Sequence, residues 1–268
     1  MKKIKFLSVA LLLVAFVLPV SFSGVGAAVT AFLIGPERIR ELFNRLKTIG
    51  NVSVEESYLR QEQTIKNTNS MYVFDYARAV NGSTTNVEPQ LTLLDTNDVF
   101  IATHVGVYVY EADTTKRGYV KNGLQTCINP VYFGAGAGFT PDHLNQIYQG
   151  RLKYKVANSE KVEAIDMGQF ENKPVVQLGW DTTLSVLETD IIGSKKAEDG
   201  LKDLASFFVF DGSQSNQAVL DLPIFDGIEW EAKAANKQNR IVVKPQGILV
   251  KGGARVLNAI NEQVRLIA

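Results

Sequence analysis

Cysteine occurs once in this chain, as Cys127. A single thiol closes no intrachain disulfide and builds no thiolate metal cluster. In its setting, LQTCINP, it reads as a buried structural thiol rather than a reactive one. Histidine is almost as scarce, present only as His104 and His143. Nucleophilic catalysis of the serine–histidine kind therefore has two candidate bases, and no Gly-x-Ser-x-Gly turn accompanies either. His104 sits in an apolar strand and reads as a hydrogen-bonded histidine of the core. His143 falls in the first turn of a short helix and is expected to be exposed. Metal-site patterns are also missing: there is no His-Glu-x-x-His and no acidic loop with calcium spacing. Asp95, Asn97 and Asp98 read as a polar turn. The glycine run at residues 134–138 lacks the lysine of a phosphate loop and the strand–helix frame of a dinucleotide fingerprint. It reads as a flexible loop at a subunit contact. Excess charge is lacking as well, with 28 basic against 28 acidic residues. That balance argues against a broad nucleic-acid-binding surface. The expectation is a non-enzyme without cofactor, without metal and without direct nucleic-acid contact.

What is present is apolar and β-branched. Hydrophobic residues make up 46% of 268 residues, enough to bury a sizeable core. The stretch at residues 91–110, LTLLDTNDVFIATHVGVYVY, predicts two strands joined by the turn at Asp95–Asp98. Further strands are predicted at residues 52–65, 71–80, 119–128, 151–156, 162–167, 175–180 and 184–192. Others follow at 207–210, 218–222, 228–230, 240–244 and 247–251. Asn81-Gly82 is a tight-turn dipeptide. Two short helices interrupt them, at residues 140–150 (Thr140 as N-cap, Pro141 in the first turn) and at about 195–205. From Gly253 the stripe Val256, Leu257, Ile260, Val264 predicts a closing helix. Many short strands at close spacing indicate a mainly β protein, an antiparallel β-sandwich. One helix in each half suggests two jelly rolls in tandem, residues 51–172 and 173–268.

The N-terminus is different in kind. Lys2, Lys3 and Lys5 precede a run without charge from Phe6 to Pro36, which includes Leu12, Phe16 and Phe32. Three readings stand: a cleaved secretory signal, a retained membrane helix, or a buried arm. Residues 36–49 follow as an amphipathic helix, with Pro36 at its start and Gly50 in the left-handed position after its end. Its apolar stripe is Ile39, Leu42, Phe43, Leu46 and Ile49, and its cations are Arg38, Arg40, Arg45 and Lys47. Such a helix packs on its own protein or lies at a lipid headgroup surface. Residues 1–50 thus form one apolar and amphipathic helical arm. Its candidate membrane contacts are Lys2, Lys3, Lys5, Phe6, Leu12, Phe16, Phe32, Arg38, Arg40, Phe43, Arg45 and Lys47.

Three stretches taken together carry a resemblance. They are LDTNDVFI (94–101); GRLKYKV (150–156) with VEAID (162–166); and DLP (221–223), IEW (228–230) and IVVKPQGILVKG (241–252). In style this resembles the double jelly-roll major capsid proteins of tailless, membrane-containing icosahedral bacteriophages such as those of flavobacteria. The resemblance implies a shell subunit with no catalytic residues. It also implies trimeric capsomers, contacts with other capsid and vertex proteins, and an internal membrane met through the N-terminal segment. The signal-like N-terminus departs from that pattern. It supports an alternative: an exported bacterial β-sandwich binding protein of the periplasm or cell surface.

Overall fold

The computed structural model describes residues 35–77, 92–116, 123–126, 141–156, 159–171, 200–232 and 235–267. Helix α1 spans Gly35–Lys47 and is followed by β1 (Ser53–Tyr58), β2 (Gln61–Thr64), β3 (Met71–Asp75) and β4 (Val99–Asp113). Helix α2 (Pro141–Asn145) runs into a 3-10 turn and then β5 (Arg151–Val156) and β6 (Ser159–Asp166). After them come β7 (Lys202–Asp211), β8 (Asn216–Asp221), β9 (Lys237–Lys251) and α3 (Leu257–Ile267). All strand pairs are antiparallel, in one sheet ordered β1-β9-β4-β7, with β2 also on β9, and a second ordered β3-β8-β5-β6.

The long central pair β4–β9 organises the first sheet. β4 alternates faces, but its phase changes partway. Phe100 and Ala102 face the main core, and beyond Thr103 the inward residues are Val105, Val107 and Val109. A register shift between Ala102 and His104 accounts for the change, because one extra residue in a strand moves every later side chain to the other face. Gly247 lies opposite the bulge, paired with Ala102. A Cβ there would fall 1.9 Å from the Ile101 carbonyl oxygen, so only glycine lets the backbones approach. Pro245 interrupts nothing. Its carbonyl accepts the Leu59 amide at 2.9 Å, on the side where β1 gives way to β2. The amide it lacks would point the same way, into that break.

The inner faces of the two sheets meet over an aromatic core. Phe210 stacks on Tyr76 and Phe100 at centroid separations of 5.9 and 6.2 Å, and Tyr154 stacks on Phe208 at 5.3 Å. Burial raises the Tyr76 and Tyr154 hydroxyls well above the usual phenol range. Outside β3, two glutamines of β2 satisfy backbone carbonyls: Gln61 Nε2 donates to Asp75 at 2.7 Å and Gln63 Nε2 to Val73 at 3.2 Å. Side-chain amides thus occupy acceptors that an open strand edge would offer to another chain. The outer face of the first sheet carries α1 and α3. Leu42, Leu46, Ile260 and Val264 are buried there against Val99, Ile101, Ile248 and Val250.

Several expectations change. The tandem division at residue 172 does not describe the strands, because each sheet draws members from both sides of it. β4 lies between β7 and β9, and β8 lies between β3 and β5, so the described strands make one sandwich. The helix expected near residues 195–205 is strand from Lys202 onward. There Leu204, Phe208 and Phe210 turn into the main core while Phe207 and Val209 pack towards the helices. The expected strand at residues 52–65 is broken into β1 and β2, and those at 240–244 and 247–251 are one strand. Residues 228–230 are not strand, and Thr92 and Leu94 form only isolated bridges, to Arg60 and Ala77. After α1 the left-handed position belongs to Asn51 (φ 64°), not Gly50, a conformation asparagine tolerates. The turn Asn81-Gly82, Cys127, the glycine run at residues 134–138 and the expected strands at 175–180 and 184–192 lie outside the described residues.

Candidate functional site

Charged groups gather at one place in the first sheet. Glu62 on β2 and Arg240 on β9 stand beside Tyr110 on β4, with Arg60 just before β2. Arg240 Nη1 donates to Glu62 Oε1 at 2.6 Å, and Arg60 Nη2 donates to Oε2 at 3.1 Å. Tyr110 Oη donates to the same Oε2 at 2.9 Å. The Glu62 side chain is 3% exposed. Burial, together with the Glu62 carboxylate, pushes the Tyr110 hydroxyl above the usual phenol range. Register assembles this set, because Glu62 pairs with Val242 and Thr64 with Arg240, so both side chains lie one pair apart on the same face. Sequence reasoning missed it: residues 62 and 240 are adjacent only through the β2–β9 pairing.

A carboxylate held by three donors clamps β2, β4 and β9 together. Glu62→Ala leaves two guanidinium groups partly buried without their carboxylate. It is expected to lower stability by about 3–5 kcal/mol, read as a fall in the denaturant midpoint at unchanged slope. A loss below about 1 kcal/mol would mean that the clamp is open to solvent.

Both histidines are hydrogen-bonded within the fold. His104 Nε2 lies 3.0 Å from Asp203 Oδ1, and its Nδ1 lies 2.8 Å from Thr103 Oγ1. The ring therefore ties the bulge of β4 to the start of β7. His143 is not exposed as expected. It is half-buried, its Nδ1 accepts the Glu229 amide at 3.1 Å, and its ring meets Phe225 edge-on at 5.2 Å. Its carbonyl accepts Trp230 Nε1 at 2.9 Å, and Trp230 is completely buried. Asn67 Oδ1 accepts the amides of Trp230 and Glu231, while Asn239 Nδ2 donates to the Trp230 carbonyl. Residues 222–232 are pinned by this set around a fully buried tryptophan.

The membrane-contact candidates divide in two. Lys2, Lys3, Lys5, Phe6, Leu12, Phe16 and Phe32 lie outside the described residues. Arg38, Arg40, Phe43, Arg45 and Lys47 all lie on α1. The apolar stripe of α1 is turned onto the protein's own sheet and α3, which leaves no apolar face of this helix for insertion between lipids. Arg38 donates to the Ala205 carbonyl at 3.3 Å and covers the Phe207 ring at 4.8 Å. Arg45 pairs with Glu41 at 2.7 Å, Lys47 stands 4.3 Å over Phe43, and Arg40 is exposed. Among the described residues no helix is long and apolar enough to cross a membrane, and no metal-ligating cluster of histidine, cysteine or carboxylates occurs.

An open groove of about 940 Å³ lies between β7 and α3, floored by Phe207, Phe208 and Val264 and rimmed by Gln214, Asn258 and Asn261. Asp211, Glu262 and Arg265 also line it, and Gln214 Nε2 donates to Asp211 Oδ2 at 3.3 Å. No family model matches this chain, and neither a curated protein nor a solved structure matches it.

Proposed function

We propose that the chain is a structural, non-catalytic shell subunit, the major capsid protein of an icosahedral virion, built on a single jelly roll. The supporting observation is the strand order. β1 and β2 share one neighbour and count as one strand, so the described strands number eight and the sheets read 1-8-3-6 and 2-7-4-5. Two four-stranded sheets in that order are a jelly roll, an architecture of viral capsid and lectin domains. Partners on this reading are other copies of the chain in trimers, neighbouring shell and vertex proteins, and a lipid membrane reached through the N-terminal segment. The clamp at Glu62 and the pinned loop at Trp230 suit a subunit that must keep one rigid shape. A second reading, an exported binding module of the periplasm or cell surface, is favoured by the groove beside β7, since lectin-type jelly rolls also hold ligands.

The test is the mass of the purified native assembly, with electron microscopy of the same sample. Trimers or closed shells are expected, each interface burying well over 1,000 Å². A monomer at all concentrations, with its N-terminal segment removed, would sink the shell reading in favour of the exported module.

A further inference from the structure

We propose that the layer formed by α1 and α3 is a lipid-facing surface, applied by its charge to an anionic bilayer. The inference rests on the membrane contact in the shell reading and extends it from α1 to α3, at the other end of the sequence. The chain carries no charge from Phe6 to Pro36, and that uncharged run of sequence ends in the first residues of α1. α3 lies beside α1 on the same outer face of the first sheet.

The charge of this layer fits that placement. Residues 35–47 and 253–267 hold Arg38, Arg40, Arg45, Lys47, Arg255 and Arg265 against Glu37, Glu41 and Glu262, a net of +3 in a chain of net zero. The rest of the protein therefore carries −3. Arg40, Lys47, Arg255 and Arg265 are exposed, and so is Leu266, at 52%. Both apolar stripes are spent on the sheet, so the attraction is electrostatic rather than insertional. The opposite face of the sandwich differs. There β5 also places cations outward, but its register sets Arg151 between Asp221 and Asp166, and Lys153 pairs with Asp221 at 2.9 Å.

The experiment uses the full chain and co-flotation with two kinds of vesicle, phosphatidylcholine alone and phosphatidylcholine mixed with anionic phosphatidylglycerol. The readout is the ratio of the two partition coefficients, which is independent of how deeply the apolar run inserts. Each basic group near an anionic surface changes partition by about five-fold. The double variant R255E/R265E is expected to lower the ratio about ten-fold or more, whereas R151E/K155E on the opposite sheet should stay within about two-fold. Raised salt should remove the wild-type preference. Arg255, Arg265 and Arg151 are exposed and Lys155 is half-buried, and unchanged thermal melts show that the variants are folded. A ratio unchanged in R255E/R265E, or lowered equally in both variants, would overturn the proposal. Sedimentation of the same samples separates the two readings. Assembled shells with an unchanged ratio defeat the lipid-facing layer alone. A chain that never assembles but gives the expected ratios defeats the shell reading and supports the layer.

Discussion

Neither half of this chain is expected to fold when it is divided after residue 172. The reason is the pairing pattern. In residues 51–172 the described strands are β1 to β6, and only β5 and β6 are hydrogen-bonded neighbours. The remaining four take their partners from the other half: β1, β2 and β4 pair with β9, and β3 pairs with β8. In residues 173–268 the described strands β7, β8 and β9 do not pair with one another at all. A lone hairpin is marginal in water, and unpaired strands expose backbone groups that an interior must satisfy. Each half expressed alone should give collapsed amide dispersion in a proton–nitrogen spectrum and no cooperative melt. A dispersed spectrum with a cooperative transition from residues 51–172 would restore the two-unit division and undo the single-sandwich topology.

How far this was legible in the sequence depends on the range of the contact involved. β5 was readable at its observed bounds because RLKYKV alternates in and out, burying Leu152 and Tyr154 while Arg151 stays exposed. The amphipathic stripe of α1 was readable for the same local reason, at helical period. That stripe does not state what covers it. Protein and lipid both satisfy an apolar face, and the choice of protein is set by Val99, Ile101, Ile248 and Val250, which are distant in sequence. The same holds for the tandem reading. Two helices in two halves look like a repeat, whereas β4 pairs with residues about a hundred positions away in β7 and more than a hundred away in β9, a pairing that no local pattern encodes. The bulge at Thr103 hid in a run so uniformly apolar that a change of phase leaves no mark. From Lys202 the residues expected as helix belong to β7, whose alternating burial is plain only at its FFVF end. The Glu62 clamp is the plainest case, since its partners at residues 60, 110 and 240 meet only once three strands are in register.

Val107→Asp should yield no folded, soluble protein. Val107 is completely buried on the inner face of β4, opposite Val243 of β9, within the main core between the sheets. The substitution removes a valine side chain whose burial contributes about 1.5–3 kcal/mol. It also puts a carboxylate among the apolar side chains of the main core. Remaining ionised costs several kcal/mol, and protonation leaves a polar group without a partner, which costs about 1–3 kcal/mol more. The total rivals the whole stability of a typical domain, roughly 5–15 kcal/mol. Val73→Asp supplies the contrast. Val73 is 38% exposed on β3, on the outer face of the second sheet, and its backbone carbonyl rather than its side chain makes the bond to Gln63. There the same change should shift stability by no more than about 1 kcal/mol. Soluble yield and urea midpoints of the two variants, measured side by side, decide the matter. A folded Val107→Asp protein melting near the wild type would mean that this face of β4 is open to water, and the packing of the two sheets described above would have to be abandoned.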